Sequence, residues 1–341
     1  MSIKIPHISI EITPQCNLNC KYCYNHWKAE NTSEPFNSYK KTIKTLKRIY
    51  KQADVDSIAF TGGEPFLSER FEEVVLFTRM KNKKVSIISN GNACDNDQLL
   101  RLIKMGVQLF ELPMHSKRPE VHDAMTTVNG SWQKSYNSIR TLIKNKGYVV
   151  PVIVVTKLNH AYIEETIEFL AGMGLKRLMI NRFNIGGNGI KALEEINLPV
   201  DQLRDTFKKV NVLSKKYNLT TSSNVCTPFC VLDPDDYPNV LFGACPPNVL
   251  YKPLTINIDG DLRLCNHSPV VAGNIFKQDI ADILTSDYVK SWNDIKPDFC
   301  LECTKYNSCR GGCRAASEQM NLGLSEVDPM CNYPGVEVFR N

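Results

Sequence analysis

The chain has 341 residues, 43% of them hydrophobic, and its 41 Lys and Arg against 36 Asp and Glu leave a formal charge of +5. That length accommodates one large domain and a small one around an ordinary hydrophobic core, and the mild positive balance, spread along the chain, argues against a nucleic-acid partner. No apolar run reaches the ~18–20 residues of a membrane span and the N-terminus has no signal-peptide core, so the expected location is the cytoplasm.

In chain order, β-branched runs predict strands at 8–13, 57–60, 85–89, 107–112, 149–156 and 177–181. Amphipathic segments predict helices at 38–52, 69–79, 97–104, 133–144, 162–173 and 200–216. Gly106, Gly147 and Gly174 each sit just past a helix, where a cap is expected. Repeated strand–helix order predicts an α/β fold with parallel strands and right-handed crossovers. Six such units are too few for a closed eight-stranded barrel, and barrels of this kind gather their active groups at the C-terminal ends of strands. The pattern breaks after about Tyr217, where Pro, Asp and Asn become frequent. The expected domains are therefore 1–220 and 221–341.

Thirteen cysteines are many for a chain with a cytosolic look, where disulfides are rare, so metal is the expected use. Cys16, Cys20 and Cys23 stand in the spacing C-x3-C-x2-C, with no further cysteine until Cys94. Structural zinc takes four ligands in a closed tetrahedron. Three thiolates on one short loop suit a [4Fe–4S] cluster that keeps one iron open; the alternative is a zinc loop whose fourth ligand lies far off in sequence. With Tyr22 just before the third cysteine, the motif resembles that of the radical S-adenosylmethionine (SAM) enzymes. The resemblance implies an open (β/α)6 partial barrel and a SAM whose amino and carboxylate groups chelate the open iron. It also implies an electron, from a donor such as flavodoxin or ferredoxin, that cleaves SAM to a 5′-deoxyadenosyl radical, which abstracts hydrogen from a substrate.

Thr61-Gly62-Gly63-Glu64-Pro65 follows the second strand. Glycines let a ligand approach the backbone closely, and the resemblance assigns Gly62, Gly63, Glu64 and Pro65 to the amino group of SAM. It places Tyr22 in the cofactor site and Ser89 and Asn90 near the ribose; a plain turn is the alternative at 89–91. Arg182 and the glycine-rich loop 184–189 follow the sixth strand, where they would pass close to adenine or substrate, or form an ordinary flexible loop. His115, at the end of the fourth strand, is of a type that titrates near neutrality and is a candidate to orient substrate or move protons. Glu111 is the second catalytic candidate. A hydrogen-bonded structural histidine is the alternative reading of His115.

The second cysteine pattern begins at Cys245 and continues as Gly260-x4-Cys265, then Cys300-x2-Cys303-x5-Cys309-x3-Cys313, then Cys331. Residues 255–264 read as a hairpin with an Asp-Gly turn. Read alone, 300–313 suits a zinc ribbon as well as iron. The whole pattern resembles the SPASM domain, which carries two auxiliary iron–sulfur clusters. The resemblance implies one cluster on Cys300, Cys303, Cys309 and Cys331. It implies another on Cys245, Cys265 and Cys313, whose last position is open or taken by Cys226 or Cys230. Cys94, Cys226 and Cys230 are left over; a free thiol is usually a small buried hydrophobe, or, in radical chemistry, a donor of a hydrogen atom.

SPASM-bearing relatives modify ribosomal peptides, oxidise Cys or Ser of sulfatases to formylglycine, or dehydrogenate small molecules such as aminocyclitols. The seven-cysteine set favours a ribosomally made peptide, that is, RiPP maturation. A cluster loop starting at residue 16 leaves no room for the leader-binding domain of many peptide maturases, so a separate leader-binding partner, or direct recognition of the peptide, is expected. Loops 115–130, 183–189 and 227–238 would line the peptide path. The acidic stretch 233–236 would meet basic residues of the peptide or form a solvated turn. The outside alternative is a metal-scaffold or redox-sensing protein, against which the Gly-Gly-Glu-Pro segment speaks.

Overall fold

The structure, a computed structural model, describes residues 3–27 and 38–340. Its backbone is one 11-stranded sheet. Strands β1 (Ile3–Glu11), β2 (Ala53–Thr61), β3 (Lys84–Ile88), β4 (Leu109–Pro113), β5 (Val149–Val155) and β6 (Arg177–Arg182) lie side by side in chain order and pair in parallel. They alternate with α1 (Ser38–Gln52), α2 (Phe71–Met80), α3 (Asn96–Lys104), α4 (Pro119–Thr126), α5 (Ser131–Lys144) and α6 (Ile163–Gly172). Two single-turn helices, α7 (Asn188–Lys191) and α8 (Leu193–Ile196), precede α9 (Val200–Lys216). The sheet is open at both edges, so the six expected β/α units form a partial barrel.

The strands are apolar because both faces are covered. Ile5, Ile8 and Ile10 of β1, and Val55, Ile58 and Phe60 of β2, have no exposed surface. Leu46 and Ile49 of α1 belong to the same core, as do Phe207 and Val210 of α9, where Phe207 meets Tyr237 and Phe242 at the far edge of the sheet. At α3 the chain is cut by a capping box: Asp95 accepts from Gln98 N at 2.7 Å and the Gln98 side chain accepts from Asp95 N at 3.1 Å. Gly106 and Gly174 take the left-handed turn expected after their helices. After α5 that turn is made by Lys146, with φ 58°, one residue before Gly147.

Beyond α9 the parallel sheet continues with β7 (Thr220–Ser223) and β8 (Val240–Phe242). On the other edge, β9 (Thr255–Asn257) pairs in parallel with the end of β1, Ser9 opposite Thr255 and Glu11 opposite Asn257. The expected hairpin follows: β10 (Asp261–Arg263) runs back along β9, and β11 (Gly273–Asn274) lies outside it. Pro6 is tolerated in β1 because β9 reaches only residues 9–11, leaving Pro6 with one neighbouring strand. Helices α10 (Ile280–Leu284), α11 (Asp287–Asp294), α12 (Tyr306–Cys309) and α13 (Arg314–Gln319) complete the chain. Among the described residues, no helix is long and apolar enough to cross a membrane.

Two buried ion pairs join the ends of this sheet to its C-terminal extension. Glu11 at the end of β1 meets Arg263 of β10. Arg182 at the end of β6 meets Asp328, and both side chains are essentially inaccessible, at 1% and 0% exposure. Removing one partner of such a pair strands a charge in a place that water cannot reach. Asp328→Ala is expected to lower stability by about 3–5 kcal/mol, read as a reduced urea midpoint under anaerobic conditions. An unchanged midpoint would show the pair to be dispensable.

Candidate active site and cluster-binding cysteines

The site residues expected from the sequence follow strand ends. Cys16, Cys20 and Cys23 lie on the loop after β1, and Cys20 is buried. Helix α4 holds this loop from outside: Asn19 N donates to Thr126 O at 3.3 Å and Lys21 N to Met125 O at 2.9 Å. From the other side, Gly189 N donates to Cys23 O at 3.4 Å. Three thiols are thereby set on a loop held from both sides.

The Gly-Gly segment clasps the same loop. Gly63 N donates to Thr13 O and Glu64 N to Gln15 O, both at 2.7 Å. A Cβ on Gly63 would stand 2.0 Å from Gln15 O, so only glycine permits the approach. The loop itself, not only a ligand, therefore explains this glycine. Pro65 opens a 3-10 turn (Pro65–Leu67) capped by Glu64.

Glu64 is fully buried and accepts from Ser89 Oγ at 2.8 Å, Asn90 N at 2.7 Å and Phe66 N at 3.1 Å. Burial pushes its carboxyl up to about 7, against the pull of those hydrogen bonds. Asn90 in turn reaches Cys16 Sγ at 3.7 Å and Asn17 Oδ1 at 2.8 Å. The structure thus brings Glu64, Ser89 and Asn90 together against the first cysteine.

Tyr22 is half-buried, edge-on against His115 with ring centroids 4.5 Å apart, and His115 stacks on His122 at 5.2 Å. His115 Nδ1 accepts from Val154 N, and His122 Nδ1 accepts from His115 N, each at 3.2 Å. Both rings therefore carry their proton on Nε2, and neither Nε2 has a hydrogen-bond partner among the described residues. Burial, with His122 adding, holds His115 neutral well below its usual range. This differs from the neutral-range titration expected of a histidine: what His115 presents is a fixed N–H donor. Glu111 lies on β4, its carboxyl pushed up to about 7 by burial.

Arg182 has its guanidinium engaged by the C-terminal half. It donates to Cys226 O at 2.9 Å, Thr227 Oγ1 at 3.3 Å and Phe183 O at 3.2 Å, besides pairing with Asp328. The 184–189 loop supplies Asn184, whose Nδ2 lies 3.4 Å from Cys313 Sγ. In the acidic stretch, Lys305 Nζ binds Asp233 Oδ1 at 2.7 Å and Asp235 Oδ2 at 2.8 Å, while Asp235 and Asp236 remain exposed.

The C-terminal cysteines fall into two groups. Cys300, Cys303, Cys309 and Cys331, with Cys230, line one tight pocket walled by Phe229, Phe299 and Tyr306. Cys245, Cys265 and Cys313 adjoin one another and Cys226. Cys94 stands apart, 3.7 Å from Ser138 Oγ, its thiol pushed up to about 11 by burial.

The donor set fits thiolate-held clusters. Phe229 N lies 3.2 Å from Cys309 Sγ and Lys252 Nζ 3.2 Å from Cys245 Sγ, with Asn184 and Asn90 aimed at Cys313 and Cys16. N–H groups and an ammonium directed at sulfur stabilise the anion and tune the iron it holds. Among the described residues, no three His, Cys, Asp or Glu side chains are placed to hold a single metal ion. Lys252 and Asn184 carry no sequence signal for this role, because their sulfur partners are set by the fold.

The family model of the radical SAM superfamily matches residues 10–170, and that of the SPASM iron–sulfur cluster-binding domain matches residues 245–314. The chain belongs to the radical SAM superfamily. It is 23% identical to a PqqA peptide cyclase of Gluconobacter oxydans over 97% of this chain and 92% of that protein. It is 24% identical to the antilisterial bacteriocin subtilosin biosynthesis protein AlbA of Bacillus subtilis over 90% of this chain and 66% of that protein. Streptococcus suis SuiB, solved with precursor peptide SuiA, superposes with a TM-score of 0.76 at 17% identity, covering 97% of this chain and 76% of SuiB. This radical SAM enzyme accordingly uses a [4Fe–4S] cluster, SAM and the auxiliary iron–sulfur clusters of a SPASM domain.

Two outcomes are expected at these residues. Replacing Cys16, Cys20 and Cys23 together with Ala should abolish 5′-deoxyadenosine formation while leaving the auxiliary iron in place; continued SAM cleavage would remove the triad from its role. For Glu111, the folded carboxyl keeps its proton up to about 7 whereas a free one loses it near 4.5. The unfolded chain then holds fewer protons in that window, so stability falls as pH rises through it and levels off above. Glu111→Gln removes this slope, and its melting temperature relative to the parent should climb between about pH 5 and 7. Parallel profiles would refute the assignment.

Proposed function

We propose that this enzyme matures a ribosomally made peptide. The observation that carries the reading is likeness to peptide-modifying proteins along nearly the whole chain, spanning both the radical SAM and the SPASM segments. When bound, the N-terminal cluster and SAM supply a 5′-deoxyadenosyl radical that removes a hydrogen atom from the substrate.

The chain's own residues then have separable tasks. Cys16, Cys20 and Cys23 hold the SAM-binding cluster. Gly62 and Gly63 keep the loop that bears them seated, and Glu64, Ser89 and Asn90 orient the cofactor beside it. His115, held neutral, offers its Nε2–H as a hydrogen-bond donor, and Glu111, with its carboxyl pushed up to about 7, exchanges a proton near neutrality. Arg182 joins the barrel to the auxiliary-cluster region instead of binding cofactor. In this reading 1–220 initiates the radical and 221–341 carries the auxiliary clusters. The open side of the partial barrel admits an extended chain. An electron donor of the flavodoxin or ferredoxin class supplies the electron, and the peptide is recognised either directly or through a separate leader-binding protein.

The test is incubation of the reconstituted enzyme with reductant, SAM and either candidate precursor peptides, a Cys- or Ser-containing sulfatase peptide, or an aminocyclitol. The expected result is deoxyadenosine formation dependent on the precursor, with a mass change in it. Turnover of the aminocyclitol or the sulfatase peptide alone would replace the proposal with dehydrogenation or formylglycine formation.

A further inference from the structure

The SPASM pattern provides three thiols for the inner auxiliary cluster, Cys245, Cys265 and Cys313, and two unassigned cysteines precede it on one short segment. The segment is pinned at both ends. Asn224 N and Val225 N donate to Asn181 Oδ1 at 2.8 and 3.3 Å, and Phe229 N donates to Cys309 Sγ at 3.2 Å. The chain turns at 229–231, where Val231 N donates to Pro228 O at 2.9 Å, and sends its two thiols to different places. Cys230 Sγ stands 3.7 Å from Cys331 Sγ and lines the cavity of Cys300, Cys303 and Cys309. Cys226 meets the thiol of Cys245 and adjoins Cys313 and Cys265.

The Cys226 position is held by more than its own segment. Arg182 Nη2 donates to Cys226 O at 2.9 Å, and the Asp328 carboxylate that pairs with Arg182 accepts from Cys313 N at 2.9 Å. One buried ion pair therefore grips the backbone of Cys226 with one partner and that of Cys313 with the other. Lys252 Nζ, 3.2 Å from Cys245 Sγ, places a positive charge where several thiolates would gather, and Asn184 adds an amide donor to Cys313.

We propose that Cys226 is the fourth ligand of the inner auxiliary cluster, which is thereby closed by protein thiolates and offers no open iron to a substrate. Cys230 belongs to the outer cavity. The proposal rests on the auxiliary-cluster reading of the SPASM domain.

The experiment uses the full chain reconstituted with iron and sulfide in the Cys16/Cys20/Cys23→Ala background, so that only auxiliary clusters contribute. Iron per chain and the electron paramagnetic resonance spectrum of the reduced protein are recorded with and without cyanide, a ligand for an open iron. The background protein should hold roughly eight irons, two four-iron clusters' worth, and its spectrum should not respond to cyanide. Adding Cys226→Ala should either make one cluster signal respond to cyanide or halve the iron. Cys226→Ser, which keeps the size of the side chain, should shift the same signal with little iron lost. Adding Cys230→Ala should leave that signal unchanged. A cyanide response already present before Cys226 is altered would overturn the proposal, as would Cys226 variants indistinguishable from the background. A background protein that binds zinc and no iron would instead sink the auxiliary-cluster reading, and this assignment with it.

Discussion

The pair between Arg182 and Asp328 is the constraint on which the two halves of the molecule turn. A guanidinium and a carboxylate removed from water are tolerated only when they satisfy each other and their remaining hydrogen-bonding groups are met. Here the surplus donors of Arg182 go to Cys226 O, Thr227 Oγ1 and Phe183 O, and Asp328 takes Cys313 N and Met330 N. Each of these is a backbone or hydroxyl group beside a cysteine or at the end of β6. Electrostatic necessity at one point thus sets the relative position of a barrel strand, the linker and the auxiliary cysteines.

A second constraint is steric and acts at the opposite edge of the site. The cysteine loop and the Gly62-Gly63 turn approach so closely that no side chain fits between them. Glu64, directly after, turns inward and collects donors from the end of β3. The loop that bears three thiols is therefore braced by β2, β3 and α4 at once, although it contains no regular structure of its own. Such bracing is what a site must have if its geometry is to be fixed before a cofactor arrives.

Local pattern revealed the strong elements. The amphipathic repeats of α1 and α9 predict their observed limits, and the Asp-Gly turn predicts the β9–β10 hairpin. The strand at β1 begins earlier than predicted because Pro6 and polar His7 interrupt the alternation, while His7 is accommodated by a hydrogen bond to Ser57. Helix α4 escaped notice, although Pro119 at its first turn is a recognisable start. Strand β7 is Thr-Thr-Ser-Ser and has no hydrophobic signature; it is buried by partners such as Ser214, whose Oγ lies 2.7 Å from Thr221 Oγ1. At the site, cysteine spacing made the metal chemistry legible. The partners of Arg182 and Asp233 were not, because they come from residues remote in sequence.

The pairing of β9 with β1 brings Thr255 beside Ser9 in adjacent rows of one sheet. During synthesis, the carbonyls and amides on that flank of β1 wait, unmatched, until the hairpin emerges. An exposed strand flank is a template for unwanted pairing, and a contact spanning so much chain carries a large closure entropy. The cysteine loop that continues from β1 gains a further neighbour later still, when Gln319 Nε2 donates to Tyr24 O at 2.9 Å. Loading of the first cluster is in this way linked to completion of the whole chain, so that a truncated product carries an unfinished seat for its metal.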